Sequence, residues 1–396
     1  MQGGVYDLLL CKEEAFMIRF GKRVAVLTAA GMLGALAVTG CSGSIDTDAV
    51  VATVGDEEIP LGVANFYARM MQGQYETYYA GMMGTTGEEL WTQDAGDGLN
   101  YEDSVKDSTM EMLQDLYLIS QHADEYEVTL TDEDKDAIQE AVEQFDGDNT
   151  DGVKEAVSGY RKYIEKYLEL VTIQSRMDSK MREGADEEVS DEEAAQKAME
   201  YVYFSYTPSD ESGSSTELSD EEKEALAADA QTLADRVIAG EDMSAVAEEL
   251  GQTSYDLTFD SESAGPTEEL IAAADALETE GEVTDPIETD NGIYVARLTS
   301  LLDRDATDQE KTNIIEERRQ EQYDSLLEEW RGAVDIEVDE KVWDKVDFED
   351  MGVTVITSET EETSDDTASD ESAGETVEDT SGEAAEDTSG EDAAAE

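Results

Sequence analysis

The sequence predicts an α+β protein, in which a mainly helical part is followed by a mixed α/β part and an acidic tail. Three observations support this fold class. Apolar residues recur at helical spacing between residues 105 and 181. After a linker at Gly184–Glu193 the pattern changes, and it begins with the aromatic β-type run Tyr201–Thr207. Residues 357–396 contain no Lys, Arg or aromatic residue, which is typical of a solvated tail.

The N-terminal region resembles a bacterial lipoprotein signal. Basic residues Arg19, Lys22 and Arg23 precede an apolar run, Val24–Val38, that is too short to be a comfortable permanent membrane span. The run ends in Leu-Ala-Val-Thr-Gly-Cys, and the resemblance to the lipobox implies that residues 17–40 are cleaved and Cys41 is lipidated. The alternative interpretation is an ordinary buried cysteine at the end of a hydrophobic helix. A lipidated Cys41 would hold the protein at the extracytoplasmic face of the cell membrane.

The first sixteen residues do not fit this scheme, because a signal peptide begins just before its basic region. Lys12-Glu13-Glu14 can be encoded by a purine run like a ribosome-binding site, so Met17 is the predicted start and residues 1–16 an untranslated extension. Cys11 is then lost. Cys41 alone would remain, which leaves no disulfide and no cysteine-based metal site.

The composition limits the partners. Asp and Glu number 101 against 25 Lys and Arg, a formal charge of −76. Such a surface repels nucleic acid and anionic lipid, so neither is an expected partner. The near-repeats within residues 357–396 predict a disordered acidic tail, and residues 41–50 are predicted to be a tether to the membrane.

Residues 51–185 are predicted to be helical after an initial hairpin. Residues 51–60 alternate apolar and polar positions around a turn at Gly55-Asp56. Helices are predicted over Val105–Tyr126 and Val157–Met181, and Thr131 is the predicted N-cap of a third. The predicted buried faces comprise Met112, Leu116, Ile119 and Ala123 in the first helix, and Tyr160, Ile164, Tyr167, Leu168 and Val171 in the second.

Methionines and tyrosines are concentrated before these helices. Two interpretations remain open for this stretch: ordinary helix packing, or an adaptable surface for unfolded chains. The residues are Met70, Met71, Tyr75, Tyr78, Tyr79, Met82 and Met83.

Residues 195–303 are predicted to form the α/β part. After the strand at Tyr201–Thr207, Ser219 is the predicted N-cap of a long helix that buries Leu226, Ala230, Leu233, Val237 and Ile238. Shorter helices are predicted at Ser244–Leu250 and Glu268–Leu277, and Gly292–Leu298 is the closing strand.

This order of elements resembles the parvulin-type foldases of the PrsA/SurA kind. Two segments carry the resemblance: Gly240–Ala247 matches the pattern Gly-x-Asp-Phe-x-x-Leu-Ala, and Gly281–Gly292 matches Gly-x-Ile-x-x-Pro-Val-x-Thr-x-x-Gly. The resemblance implies a parvulin-like peptidyl-prolyl isomerase domain inserted into a SurA-like helical chaperone domain. The chaperone domain would combine residues 51–185 with a returning C-terminal segment, residues 305–350. The implied partners are unfolded or secreted polypeptides.

The family's catalytic histidines are absent. Their positions fall at Tyr201 or Tyr203 and at Tyr294, and the phenylalanine of the proline pocket aligns with Leu270. Tyrosine hydroxyls could replace the imidazoles in a hydrogen-bond network, so these four residues are the candidate catalytic positions. The single histidine, His122, is expected to be a packed or surface residue of a helix.

Other chemistry has little support. One histidine and no usable cysteine exclude Ser-His-Asp, Cys-His and zinc sites, and no cofactor is expected. Asp146–Gly152 resembles the start of a calcium loop, but position six is Asp151, where glycine is needed, and position twelve is Val157, where glutamate is needed. An exposed acidic turn is predicted there instead. A non-enzymatic lipoprotein adaptor, or a solute-binding module on the same scaffold, remains the alternative function.

Overall fold

The computed structural model describes residues 33–40, 45–96, 98–208 and 215–356. Most of the predicted leader, the predicted lipidation site Cys41 and the predicted disordered tail at 357–396 lie outside these residues. Within the described residues, no helix combines the length and the apolar character that a membrane span requires.

The strands belong to four antiparallel sheets in the described part of the chain. Strands β10, β2 and β3 form one sheet, β7, β6, β9 and β8 form another, and β1–β11 and β4–β5 are two-stranded. Their bounds are β1 Leu36–Gly40, β2 Val50–Val54, β3 Glu57–Pro60, β4 Asp94–Gly96, β5 Leu99–Asn100, β6 Lys197–Ser205, β7 Ser254–Phe259, β8 Ile287–Thr289, β9 Gly292–Ser300, β10 Ile336–Val338 and β11 Met351–Val355.

The helices fall into a larger group before residue 182, a smaller group after residue 219 and a long C-terminal helix. Their bounds are α1 Leu61–Gln74, α2 Ala80–Met82, α3 Gly87–Leu90, α4 Tyr101–His122, α5 Asp132–Asp148, α6 Asp151–Ala156, α7 Arg161–Met181, α8 Asp220–Ile238, α9 Met243–Glu249, α10 Glu268–Asp275, α11 Arg304–Ala333 and α12 Glu340–Trp343. A π-helical turn, Tyr75–Tyr79, continues α1, and a 3₁₀ turn, Ala123–Tyr126, continues α4.

The N-terminal hairpin is confirmed. Strands β2 and β3 pair antiparallel across a turn in which Gly55 has a φ of 59°. This left-handed conformation favours glycine because it has no Cβ. Strand β10 adds to the free edge of β2, so the C-terminal segment completes the sheet that the N-terminal hairpin begins.

The three predicted helices of the N-terminal part are also present, as α4, α5 and α7. Thr131 caps α5 in a capping box with Asp134. The predicted buried faces are partly wrong: Leu116, Ile119 and Ala123 are buried, whereas Met112 is 47% exposed and Tyr160 is 43% exposed.

The largest hydrophobic cluster of the described residues joins the N-terminal helical segment to the segment around residues 330–348. Residues of β2, α1, α4 and α7 pack with a C-terminal group that comprises Trp330, Trp343, Val346 and Phe348. His122 belongs to this contact. Its ring stacks on Trp330 with centroids 4.1 Å apart and planes at 7°, and its Nδ1 lies 2.9 Å from Glu125 Oε1. The histidine is therefore part of the packing between α4 and α11.

The α/β part lies in sequence between the two halves of that cluster, as an insertion requires. Its four-stranded sheet carries α8 and α9 on one face and α10 on the other, and each face has its own hydrophobic cluster. Ser219 caps α8 in a capping box, but the prediction that Ile238 is buried is wrong, since its side chain is 64% exposed. Strands β7 and β8 were not predicted. The fold is thus α+β, with a helical part and an inserted α/β part.

In the Met- and Tyr-rich stretch at residues 70–83, some side chains are packed and others are exposed. Met70 and Tyr75 are buried, whereas Tyr78 is 51%, Met82 74% and Met83 43% exposed. Of its exposed members, Tyr78 lies in the π-helical turn, and Met82 and Met83 follow it.

Asp146–Gly152 forms the end of α5 and the start of α6. Lys154 bridges Asp146 and Asp151 at 2.8 and 3.1 Å, so a lysine neutralises the carboxylates there. Across the described residues, no group of three or more His, Cys, Asp or Glu is arranged to hold a metal ion.

Candidate functional site

The three tyrosines that replace the family histidines lie on one face of the four-stranded sheet. Tyr201 and Tyr203 are two residues apart in β6, so their side chains point to the same face. In the sheet register Tyr203 pairs with Tyr294 of β9, and Tyr201 pairs with Tyr255 of β7. The sheet therefore brings together residues that are distant in the sequence.

The rings form a continuous row, which we call the tyrosine ladder: Tyr255, Tyr201, Tyr294 and Tyr203. Tyr203 and Tyr294 stack with centroids 4.4 Å apart, and Tyr201 and Tyr255 stack at 5.5 Å. Tyr201 and Tyr294 join the two pairs at 6.1 Å. Separations of this size are typical of attractive aromatic pairs.

Exposure differs along the ladder. Tyr255 is 50% exposed, Tyr201 and Tyr203 are half-buried, and Tyr294 is 8% exposed. The Tyr203 hydroxyl donates a hydrogen bond of 2.7 Å to the backbone oxygen of Asn291. The ladder thus offers aromatic surface and hydroxyl groups at the edge of an apolar cluster.

Burial affects the ionisation of two hydroxyls of the ladder, those of Tyr201 and Tyr294. Burial raises the pKa of Tyr201, with a smaller contribution from Tyr255. Burial also raises the pKa of Tyr294, followed by the influence of Tyr203 and Tyr201. Because the ordinary tyrosine pKa is already about 10, these groups act as hydrogen-bond donors and acceptors and not as bases.

Leu270 belongs to the packing beneath the ladder. It lies in α10, is fully buried, and shares a cluster with Met199, Phe259 and Leu298. No surface of Leu270 is open to a ligand in this conformation. Asp275, the last residue of α10, points its carboxylate at Lys197 Nζ at 3.0 Å. Leu270 therefore supports the ladder from below and adds no aromatic ring to the site.

Tyr255 is the member of the ladder that sequence reasoning missed. Strand β7 was not predicted, although Tyr255, Leu257 and Phe259 alternate with polar residues as in a half-buried strand. That alternation was the available signal.

Residues 210–312 match the family model of the PPIC-type PPIase domain. The inserted α/β part thus carries a PPIC-type domain, which confirms the resemblance to parvulin-type isomerases. The matched range includes Leu270 and Tyr294 and begins after β6, so Tyr201 and Tyr203 lie outside it.

Solved structures of foldases are also similar to this chain. The foldase protein PrsA of Streptococcus pneumoniae is 16% identical over 64% of this chain and 97% of its own, with a TM-score of 0.28. PrsA of Bacillus subtilis is 16% identical over 65% of this chain and 96% of its own, with a TM-score of 0.22. The peptidylprolyl isomerase PrsA of Bacillus anthracis is 18% identical over 58% and 99%, with a TM-score of 0.24. No curated protein matches the chain.

Proposed function

We propose that this protein is a lipid-anchored extracytoplasmic foldase that assists the folding of secreted polypeptides. The observation that carries the proposal is the PPIC-type match at residues 210–312, which covers most of the inserted α/β part and the start of α11. The helical part is the proposed chaperone domain, made of residues 51–185 and 305–350. Residues 195–303 are the proposed isomerase domain.

The tyrosine ladder is the proposed isomerase site. Prolyl isomerisation needs no nucleophile; it needs a site that stabilises the twisted amide better than the planar one. Neutral tyrosine hydroxyls can donate to the amide or to its carbonyl oxygen, and aromatic faces can hold a prolyl ring. Tyr201, Tyr203 and Tyr294 are the proposed contacts, and buried Leu270 is proposed to position the rings above it.

Proline-limited refolding of a model substrate tests this site. We expect the chain from Ser42 to Glu396 to accelerate refolding, and Tyr294→Ala to abolish the acceleration. Tyr160→Ala is the matched control, because Tyr160 is a partly exposed tyrosine outside the α/β part. Suppressed aggregation without acceleration would identify a chaperone on a non-catalytic scaffold. If the chain neither accelerates refolding nor suppresses aggregation, the result favours the non-enzymatic adaptor.

The anchor is tested separately. We propose that residues 17–40 are removed and that the Cys41 thiol carries lipid, which holds the protein at the outer face of the membrane. Mass spectrometry of protein from membranes should show a lipidated N-terminal Cys41. A Cys41→Ser precursor should keep its leader, and Cys11→Ser should leave processing unchanged. An unprocessed wild-type chain would overturn this part of the proposal.

A further inference from the structure

The segment just before Cys41 occupies a groove of the helical part. Strand β1 pairs antiparallel with β11, from Leu36 opposite Val355 to Gly40 opposite Met351. Leu33 is only 3% exposed and Leu36 only 4%. These residues belong to the proposed leader, so the groove holds a piece of chain that the mature protein would lack.

The main chain of this segment is hydrogen-bonded along both of its edges. On one edge, the buried Asn149 side chain accepts from Leu36 N through Oδ1 at 2.8 Å and donates to Gly34 O through Nδ2 at 3.3 Å. On the other edge, Ile356 N donates to Ala35 O at 2.8 Å. Contacts of this kind recognise an extended backbone whatever its side chains are.

The floor of the groove is apolar. Leu33, Leu36 and Val38 pack on a cluster that α1, α5, α6, α7 and β11 supply. Its members include Phe66, Met70, Ile138, Val142, Phe145, Val153, Ile164, Leu168 and Val353. A strand with apolar residues at alternate positions can bury them here while its backbone pairs with β11.

The far edge of β11 is held independently of β1. Val353 N donates to Glu76 Oε2 and Val355 N to Thr77 Oγ1, each at 2.8 Å. Because backbone groups alternate along a strand, the amides of Gly352 and Thr354 face β1 instead. Removal of β1 would leave this edge unpaired beside an apolar floor, which is a template for another strand.

Among the described residues, β1 is the only strand that pairs with β11. Asp48 and Ala49, in the described segment that follows the cleavage point, are held elsewhere: Leu61 N donates to Ala49 O, and the Tyr163 hydroxyl donates to Asp48 Oδ1 at 3.0 Å. The tail at 357–396 is acidic and has no aromatic residue, so it does not suit an apolar groove. A second copy would be as strongly acidic as the first, since the full chain has a formal charge of −76, and the two would repel each other.

We propose that, once the leader is removed, the groove binds an extended apolar segment of an unfolded polypeptide as an antiparallel strand on β11. This inference rests on the proposed cleavage before Cys41 and gives the foldase a client site distinct from the tyrosine ladder. The exposed Tyr78 belongs to the π-helical turn whose side chains hold β11, and the exposed Met82 follows that turn, so both add apolar surface next to the elements that form the groove.

The probe for this site is the peptide of residues 33–40 with acetylated and amidated ends. Its binding is measured by calorimetry to two chains, residues 42–396 and residues 33–396. The first chain is made without a leader, so the result does not depend on whether cells process the precursor. We expect the peptide to bind the chain of residues 42–396. Binding to the chain of residues 33–396 should be at least tenfold weaker, because its own strand fills the groove.

Backbone methylation of the peptide separates strand pairing from general hydrophobic attachment. The Leu36 amide points to Asn149, so the Ala37 amide faces β11 and the Val38 amide faces away. N-methylation at Ala37 should weaken binding about tenfold, as expected for a lost hydrogen bond with added steric conflict. N-methylation at Val38 is the matched control and should change binding by less than about threefold.

A variant of the protein completes the test. Asn149→Ala should weaken peptide binding about tenfold, yet leave the isomerisation of a short prolyl peptide unchanged, since Asn149 lies in the helical part. Failure of the groove and failure of the isomerase are thus distinguishable. No binding, equal loss from both methylations, or equal binding to both chains would overturn the proposal. Dimerisation of the chain of residues 42–396 alone would do so as well, by assigning the groove to a second copy.

Discussion

The ring of Tyr203 stacks on the ring of Tyr294, with centroids 4.4 Å apart and planes at 24°. The two residues are directly opposite in neighbouring strands, so the stacking is a cross-strand pair of the sheet. Such a pair stabilises the sheet and also places two hydroxyl groups on one face. The same contact therefore serves both the fold and the proposed site.

A tyrosine-based isomerase should have a flat pH profile. Burial raises the pKa values of Tyr201 and Tyr294, so both hydroxyls stay protonated at neutral pH. We expect kcat/KM for a prolyl peptide to be constant between about pH 6 and pH 9. A histidine-based site would titrate near about pH 6.5. A profile with a midpoint there would contradict the tyrosine mechanism.

Local sequence chemistry predicted much of the fold. The Gly55 turn and the Thr131 and Ser219 caps were correct because each depends on a few adjacent residues. Met112 and Ile238 were assigned to buried faces but are exposed. Helical periodicity alone does not decide which residues at the margin of a helix face meet a neighbouring element.

Long-range pairing was not predictable from the same patterns. Residues 36–40 have the composition of a leader, and their partner, β11, lies near the other end of the described chain. The candidate site shows the same limit. Tyr201, Tyr203 and Tyr294 came from alignment to a family pattern, while Tyr255 joins them only through the register of β7. Strand register joins residues that no local pattern connects.

Two helical glycines should respond oppositely to alanine. A Cβ at Gly62 would lie 2.2 Å from Cε2 of the buried Tyr163 ring, which packs α7 against α1. Gly62→Ala should lower the free energy of unfolding by about 1–3 kcal/mol. Gly147 in α5 has nothing within 4 Å of its Cβ position, so Gly147→Ala should raise it by about 0.5–1 kcal/mol. Urea unfolding measures both, and a stable Gly62→Ala variant would argue against this α1–α7 packing.

The linker before β6 should detach from α11 at high salt. Asp191 forms ion pairs with Arg304 and Lys311, and Glu187 pairs with Arg319 at 2.6 Å. Asp191, Glu187 and Arg304 are at least half exposed, and Lys311 and Arg319 are partly exposed, so salt screens the pairs. We expect proteolysis within residues 184–193 to be faster in 1 M than in about 0.1 M NaCl. At low salt, the Asp191→Asn variant should be cleaved there faster than the wild-type protein. Glu192→Gln is the neighbouring control, and equal rates for the two variants would contradict the role of Asp191.

Asp115 of α4 lies beside Arg331 of α11 and joins the two chain segments of the helical part. Burial raises the pKa of Asp115 to about 6, and this effect outweighs the attraction of Arg331. The folded state therefore holds the Asp115 proton more tightly than the unfolded state. The stabilisation from this group is present at low pH and is lost as the pH rises through about 6.

Replacement of Asp115 by asparagine should remove this loss. Between about pH 4 and pH 7, the free energy of unfolding of Asp115→Asn should rise relative to that of the wild-type protein by an amount of order 2 kcal/mol. This figure allows for the partial exposure of the carboxyl. The comparison between variants matters, because protonation of the many other carboxylates also changes stability over this range. Glu111→Gln removes a neighbouring exposed charge and should show a smaller change. Urea unfolding at several pH values measures these differences. A pH-independent difference between Asp115→Asn and wild type would show that Asp115 has an ordinary pKa, and hence that the contact between α4 and α11 is more open to water than its burial indicates.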